Sequence, residues 1–303
     1  MLSLSASWNS AKHSDGYSLI KEIKAAGFDT VELSFALTER VVEDVLSIKN
    51  SGAIKISSLH NICPLPKEID PDEASPDYYS LASPDAEERA LALAVTKNTI
   101  DWAVKLSARA VVLHAGRVQV KDGTRDLALI TGDPGRADDF RNYMIKDRQM
   151  KKGVYLDNVM RSLGELVPYA KDRNIALGIE NRYYYREIPI FEEFEEIFSH
   201  FKYWDLYYWH DAGHAEVFER LGLCRHKDLL ERFADRLLGV HLHDIMGAMN
   251  DHRPPGFGTF DFSILRSYLN KDTIKVMEVH QPATIEEVRR GAEHLNRILG
   301  RYV

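Results

Sequence analysis

Eight short apolar runs alternate with longer amphipathic stretches along the whole of this 303-residue chain. The runs are LSLSASW (2–8), DTVELS (29–34), IKISSLH (54–60), ARAVVLH (108–114), IALGIEN (175–181), LYYWHD (206–211), LLGVHLHD (237–244) and IKVMEVH (274–280). The segments between them predict helices over about 15–26, 38–51, 85–107, 153–173, 190–200, 226–236, 261–270 and 284–300. Three of these have start signals: Ser83-Pro84-Asp85, Asp261, and Thr284 with Glu287 as a capping box. A strand-helix alternation of this kind builds a parallel sheet, and eight units close it into a (β/α)8 TIM barrel. No linker, low-complexity tract or short repeat interrupts the alternation, so a single domain over 1–303 is expected.

Two connections are too long for plain turns. One spans about 61–84 and carries Pro64, Pro66, Pro71, Pro76 and Pro84; the other spans about 116–152. Both read as long loop insertions at the barrel mouth, a usual place for lids and binding loops. Basic residues outnumber acidic ones in the second, which could draw an anionic substrate.

The balance of the composition narrows the partners. A net charge of −7 and a pI near 6.0 argue against nucleic acid, whose phosphates call for a broadly basic face. Two cysteines, Cys63 and Cys224, cannot form a disulfide framework, and the N-terminal MLSLSASWNS has neither the basic nor the apolar region of a signal peptide. No run approaches the roughly 18 apolar residues of a membrane span. A cytoplasmic protein with a small-molecule substrate is expected, and homo-oligomer formation is left open.

Potential ligands stand where the predicted strands end: His60, His114, Glu180, Asp211, His214, His241, His243, Asp244, His252 and Glu278. In a (β/α)8 barrel those ends converge on one face, so the residues can meet around a point. Glu180, Asp211, His243 and Glu278 form a mixed nitrogen and oxygen set suited to Mn, Zn, Co or Mg. His60 and His114 could hold a second ion with Glu180, and His214 and His252 a third, so the number of ions is open. His241 and His243, two residues apart, point to the same side; His243 is taken as the ligand because it is nearer the strand end, with His241 deeper and hydrogen-bonded to a ligand. Asp244 should face away and cap the following loop. Arg182 and Arg253 could bind substrate oxygens, and Trp8, Phe35, Tyr183, Tyr184 and Trp209 could wall the site, Trp209 alternatively being core.

These residues bring out a resemblance to the xylose-isomerase-like TIM-barrel superfamily of sugar isomerases, epimerases and endonuclease IV. It is carried by GIEN, HDAGH, GVHLHD followed by HRPPGFGTFDF, and MEVH. The resemblance implies a divalent metal on Glu180, Asp211, His243 and Glu278, with His214 and Arg253 near substrate oxygens. His60, His114 and His252 match positions that complete the three-zinc cluster of endonuclease IV, but that family has Asp where this chain has Asn250, with Asp251 out of step.

The expected activity is isomerisation or epimerisation of a sugar or related hydroxy-carbonyl compound, with Glu180 and Glu278 as base and conjugate acid about a metal-stabilised enediolate. Dehydration of a keto-polyol, endonuclease IV-like phosphodiester hydrolysis and a non-catalytic metal-binding barrel are the alternatives.

Overall fold

A computed structural model describes residues 1–300; the expected domain runs on to residue 303, and residues 301–303 lie outside the described ones. Eight parallel strands close a barrel: β1 (Leu2–Ser5), β2 (Thr30–Leu33), β3 (Lys55–His60), β4 (Ala110–Leu113), β5 (Ala176–Glu180), β6 (Leu206–Asp211), β7 (Leu237–Leu242) and, after a small hairpin, β10 (Ile274–Met277). The hairpin pairs β8 (Asp244–Met246) with β9 (Asn250–Arg253). The helices are α1 (Gly16–Ala25), α2 (Glu39–Asn50), α3 (Ala86–Leu106), α4 (Thr124–Ile130), α5 (Pro134–Lys171), α6 (Phe191–His200), α7 (Ala212–Arg220), α8 (His226–Phe233) and α9 (Ile285–Leu299). This is the single (β/α)8 barrel that the alternation predicts.

Inward-facing side chains alternate along each strand, so the barrel is filled in layers. The lower layers are apolar, with Ala110, Val112, Ile274 and Val276 around the Trp209 indole. That indole fits because two neighbours lack side chains: a Cβ on Gly239 would lie 2.4 Å from Trp209, and one on Gly178 3.1 Å from it. Trp209 is therefore core. One step higher the same strands carry Glu180, Asp211, His241 and Glu278, so the change from apolar to ionisable layers sets the floor of the mouth.

Four local expectations are corrected. Most of the 116–152 insertion is helix: α4 lies within it, and α5 begins at Pro134 with Asp133 as N-cap and runs 38 residues to Lys171. Arg148, one of the basic residues of this segment, is buried against Glu193. Second, α7 follows β6 with no loop, because Asp211 ends the strand and its Oδ1 accepts the His214 N–H at 2.7 Å, capping the helix. Third, the expected helix at 261–270 is only a 3-10 turn at Phe262–Leu265, capped by Asp261. Fourth, the region after His243 folds as the β8–β9 hairpin. Asp244 caps the loop that follows the hairpin: its carboxylate accepts N–H bonds from Gly256, Gly258 and Phe260 at 2.8–3.0 Å.

Candidate metal centre

Glu180, at the end of β5, is the hub of the mouth. Its Oε1 lies 2.5 Å from His241 Nδ1, and its Oε2 lies 2.7 Å from His114 Nε2, 3.2 Å from Arg182 Nη1 and 3.7 Å from His60 Nε2. His241 Nδ1 also faces Glu278 Oε2 at 2.9 Å and Asp211 Oδ2 at 3.6 Å. Glu180, Asp211, His241 and Glu278 thus offer four ligand atoms within 4.8 Å of one another.

The expected foursome contained His243 in place of His241. The register explains the exchange: Asp211 pairs with His241 across β6 and β7, so these two share a layer, whereas His243 lies beyond the end of β7. His243 sits under α7, where a Cβ on Gly213 would be 2.1 Å from its Cε1. Its Nε2–H donates to Asp211 at 2.9 Å and its Nδ1 accepts the His252 N–H at 2.8 Å, so it groups with the flanking imidazoles rather than with the floor. On the far side of His241, Nε2 meets Glu32 Oε1 at 2.9 Å, and Glu32 also accepts from Ser58. A carboxylate behind an imidazole fixes its tautomer and aims its other nitrogen.

Two flanking groups complete the mouth. His60, His114 and Glu180 form one. Asp77, from the 61–84 connection, orients His114 through Nδ1 at 3.0 Å and also accepts from Arg182 Nη2 at 3.0 Å. Arg182 is 4 % exposed, and its fork is taken up by Glu180, Asp77 and Glu187. The fork organises carboxylates, and Arg182 also lines the cavity above them. The second flank joins Asp211, His214, His243 and His252. His214 donates Nδ1–H to the Asn181 carbonyl at 3.0 Å, so Nε2 is free and lies 3.8 Å from Asp251 Oδ2. Asp251, rather than Asn250, faces these imidazoles, with Oδ2 3.0 Å from His252 Nδ1. His252 has φ 52°, a left-handed conformation uncommon for a residue with a side chain, in a hairpin tied down on both sides. Arg253, one residue on, bonds the Phe257 carbonyl and does not line the cavity, contrary to its expected substrate contact.

Burial raises the cost of charge here, yet the neighbours decide the protonation. Burial alone would push the Glu180 carboxyl up, but the His241 charge and hydrogen bonds from His114, His241 and His60 hold it well below the usual range. Asp211 and Glu278 are lowered in the same way by facing imidazoles, and His241 is raised well above an ordinary histidine by Glu278, Glu32 and Glu180 despite burial. Glu32, Asp77, Glu180, Glu187, Asp211 and Glu278 are all buried, and Arg182 is the one guanidinium or ammonium paired with their side chains among the described residues. A buried set this negative needs cations, so the donor chemistry fits a divalent ion.

Above the floor is a cavity of about 290 Å³. Phe35, Pro76, Tyr183 and Tyr184 supply its apolar wall, while Glu180, Glu278, His60, His114, His214 and His252 face it from below. Trp8 is elsewhere, buried with its indole N–H on the Ala283 carbonyl. Glu32, Asp77, Asn181 and Glu187 belong to the site without being expected there from the sequence. Only Glu32 had a signal, an acid at an inward position of the apolar run DTVELS.

A family model described as a xylose isomerase-like TIM barrel matches residues 20–298. A curated relative, the uncharacterized protein y4fM of Sinorhizobium fredii, is 26 % identical over 178 residues, which is 59 % of this chain and 48 % of that protein. The chain therefore spans about half the length of that relative. Among solved structures, a D-tagatose 3-epimerase-like protein is 19 % identical, with a TM-score of 0.68 over 98 % of this chain and 96 % of its own. The 3-keto-D-glucoside 4-epimerase YcjR of E. coli is 17 % identical, with a TM-score of 0.68 over 98 % of each chain. An IolI protein with a bound zinc atom is 13 % identical, again with a TM-score of 0.68, over 100 % of this chain and 99 % of its own. At these identities the structures are alike in fold. No helix among the described residues is long and apolar enough to cross a membrane.

Proposed function

This chain belongs to the xylose isomerase-like TIM-barrel family, and from that premise we propose that it is a divalent-metal-dependent isomerase or epimerase of a sugar or related hydroxy-carbonyl compound. The observation that carries the reading is the convergence of Glu180, Asp211, Glu278 and His241 Nδ1 on one buried point beneath the cavity. These four would hold the ion. When bound, it supplies Lewis-acid stabilisation of negative charge developing on substrate oxygens. The epimerase names of the two compared structures and the zinc in the third support the same class of chemistry.

Glu180 and Glu278 are the proton carriers. Both face the cavity and both are held ionised by imidazoles, so either can take a proton from a carbon beside a carbonyl. The other glutamate, once it has taken up a proton from solvent, would deliver it to the opposite face to give an epimer, while delivery to the neighbouring carbon would give an isomer; the first glutamate then releases the proton it removed. Asp211 and His241 hold the floor, and Glu32 fixes the His241 tautomer. Phe35, Tyr183 and Tyr184 exclude water from the apolar face of the substrate.

A panel of ketoses incubated in D2O with Mn²⁺-loaded protein tests this. Exchange of deuterium into a carbon adjacent to the carbonyl is expected for at least one ketose, abolished by chelation; absence of exchange across the panel counts against the proposal.

A second reading has its own observation. His60, His114 and Glu180 on one flank, and His214, His252 and Asp251 on the other, offer places for further ions. Two or three zinc ions per chain would favour phosphodiester hydrolysis, for which clustered ions stabilise both attacking and leaving oxygens.

A further inference from the structure

The layer between a barrel strand and its covering helices is ordinarily apolar, but behind β6 it holds an unbroken line of polar side chains. Asn181 stands at its inner end. The Asn181 Oδ1 accepts the Asp211 backbone N–H at 2.7 Å, its Nδ2 donates to the Asp211 carbonyl at 2.9 Å, and its own carbonyl receives His214 Nδ1–H. Oδ1 also accepts the Tyr208 hydroxyl proton at 3.0 Å. Tyr208 and His210 Nδ1 are 2.7 Å apart, His210 and His226 meet through their Nε2 atoms at 2.9 Å, and His226 Nδ1 lies 3.3 Å from Glu216 Oε2. Tyr208, His210 and His226 are each at most 1 % exposed, so the bonds among them are shielded from bulk solvent.

The direction of the protons from Asn181 to the His210–His226 contact follows from the inner end. Asn181 Oδ1 can only accept, so Tyr208 donates to it and its oxygen receives His210 Nδ1–H. His210 Nε2 is then the bare nitrogen and accepts Nε2–H of His226. An amide terminus cannot pass a proton on, so the line orients and does not conduct. Its outer end is anchored as well: Glu219 accepts the His226 N–H at 2.7 Å, His226 stacks on Phe260 with rings 4° from parallel, and Arg220, which bonds Glu216, also donates to Gly247 and Thr259 around the β8–β9 hairpin.

We propose that Tyr208, His210 and His226 are positioning residues, which lock the Asn181 amide and through it fix the backbone of Asp211 and the ring of His214 at the mouth. An apolar layer would pack as well and would avoid burying these polar groups, whose loss of one partner leaves another unsatisfied. The inference rests on the proposed function only for its metal arm.

The test uses the full chain and the variants Tyr208→Phe, His226→Leu and His226→Gln, the last of which can still donate from its amide where Nε2–H stood. Hydrogen exchange of the metal-free protein, read by mass spectrometry over residues 206–220, is expected to quicken about tenfold in Tyr208→Phe and His226→Leu, with the α9 peptides unchanged and His226→Gln close to wild type. Mn²⁺ affinity, by calorimetry, is expected to fall about 10- to 100-fold in the first two, the range for lost support behind a ligand. Exchange and affinity within twofold of wild type in both disruptive variants would overturn the proposal; so would quickening spread evenly over the chain. Should Tyr208→Phe not fold, the Leu and Gln variants at His226 decide by their difference. A wild-type chain that binds no Mn²⁺ overturns the metal reading alone, and the exchange arm still decides this one.

Discussion

Glu180→Gln is expected to lower proton exchange on an active ketose by about a hundred- to ten-thousand-fold, the contribution typical of a placed acid or base. The isosteric change keeps the packing but removes the charge that faces His241, His114, Arg182 and His60. Glu278→Gln removes the proton carrier on the other side, and its effect on exchange is expected to be of similar size. The check is solvent-deuterium exchange at saturating Mn²⁺, with unfolding followed in parallel. Near-wild-type exchange in either variant would mean that the two glutamates do not share the proton transfers.

Arg148→Met is expected to cost about 3–5 kcal/mol of stability, the usual result of removing one partner from a fully buried ion pair. Arg148 and Glu193 are 1 % and 0 % exposed in their side chains, and Arg148 grips both Glu193 oxygens and the Glu187 carbonyl, the last at 2.8 Å. Without the guanidinium, Glu193 is a buried, unpaired carboxylate. The double variant Arg148→Met, Glu193→Leu should recover much of the loss, because two apolar groups replace two charges. Urea unfolding of the single and double variants gives the comparison; equal losses would show that packing, not the stranded charge, dominates. The pair also matters to the site: the Glu187 it steadies holds Arg182 and the Tyr184 backbone, so the inserted half of α5 props the cavity wall.

What the sequence disclosed follows from periodicity. Strand alternation and a polar group at each strand end are local patterns, and they place His60, His114, Glu180, Asp211, His214, His252 and Glu278 at the mouth without any knowledge of contacts. The choice between His241 and His243 is different, because both lie on one side of the chain and only the stagger of β7 against β6 says which one shares a layer with Asp211. Stagger is a property of the closed sheet. Asp77, Glu187 and Asp251 come from irregular segments whose paths depend on what they pack against, so their place beside His114, Arg182 and His252 had no local sign. Arg253 shows the same limit: the residue type fitted substrate binding, while the fold turns it toward the Phe257 carbonyl. The fold-level departures were of another kind. The start of α7 is masked because Asp211 serves as strand end and helix cap together, whereas the Asp133-Pro134 start of α5 was a readable signal inside a charged segment.

Metal content is the measurement that bears most directly on the central claim. Elemental analysis of the purified chain, before and after incubation with Mn²⁺, Co²⁺, Zn²⁺ or Mg²⁺ and desalting, is expected to find at least one ion per chain, and the loaded protein is expected to unfold at higher temperature because the ion binds only the folded state. In the triple variant Glu180→Gln, Asp211→Asn, Glu278→Gln that ion should be lost. A wild-type chain that retains no ion under any of these conditions, with no change in unfolding temperature, would contradict the account.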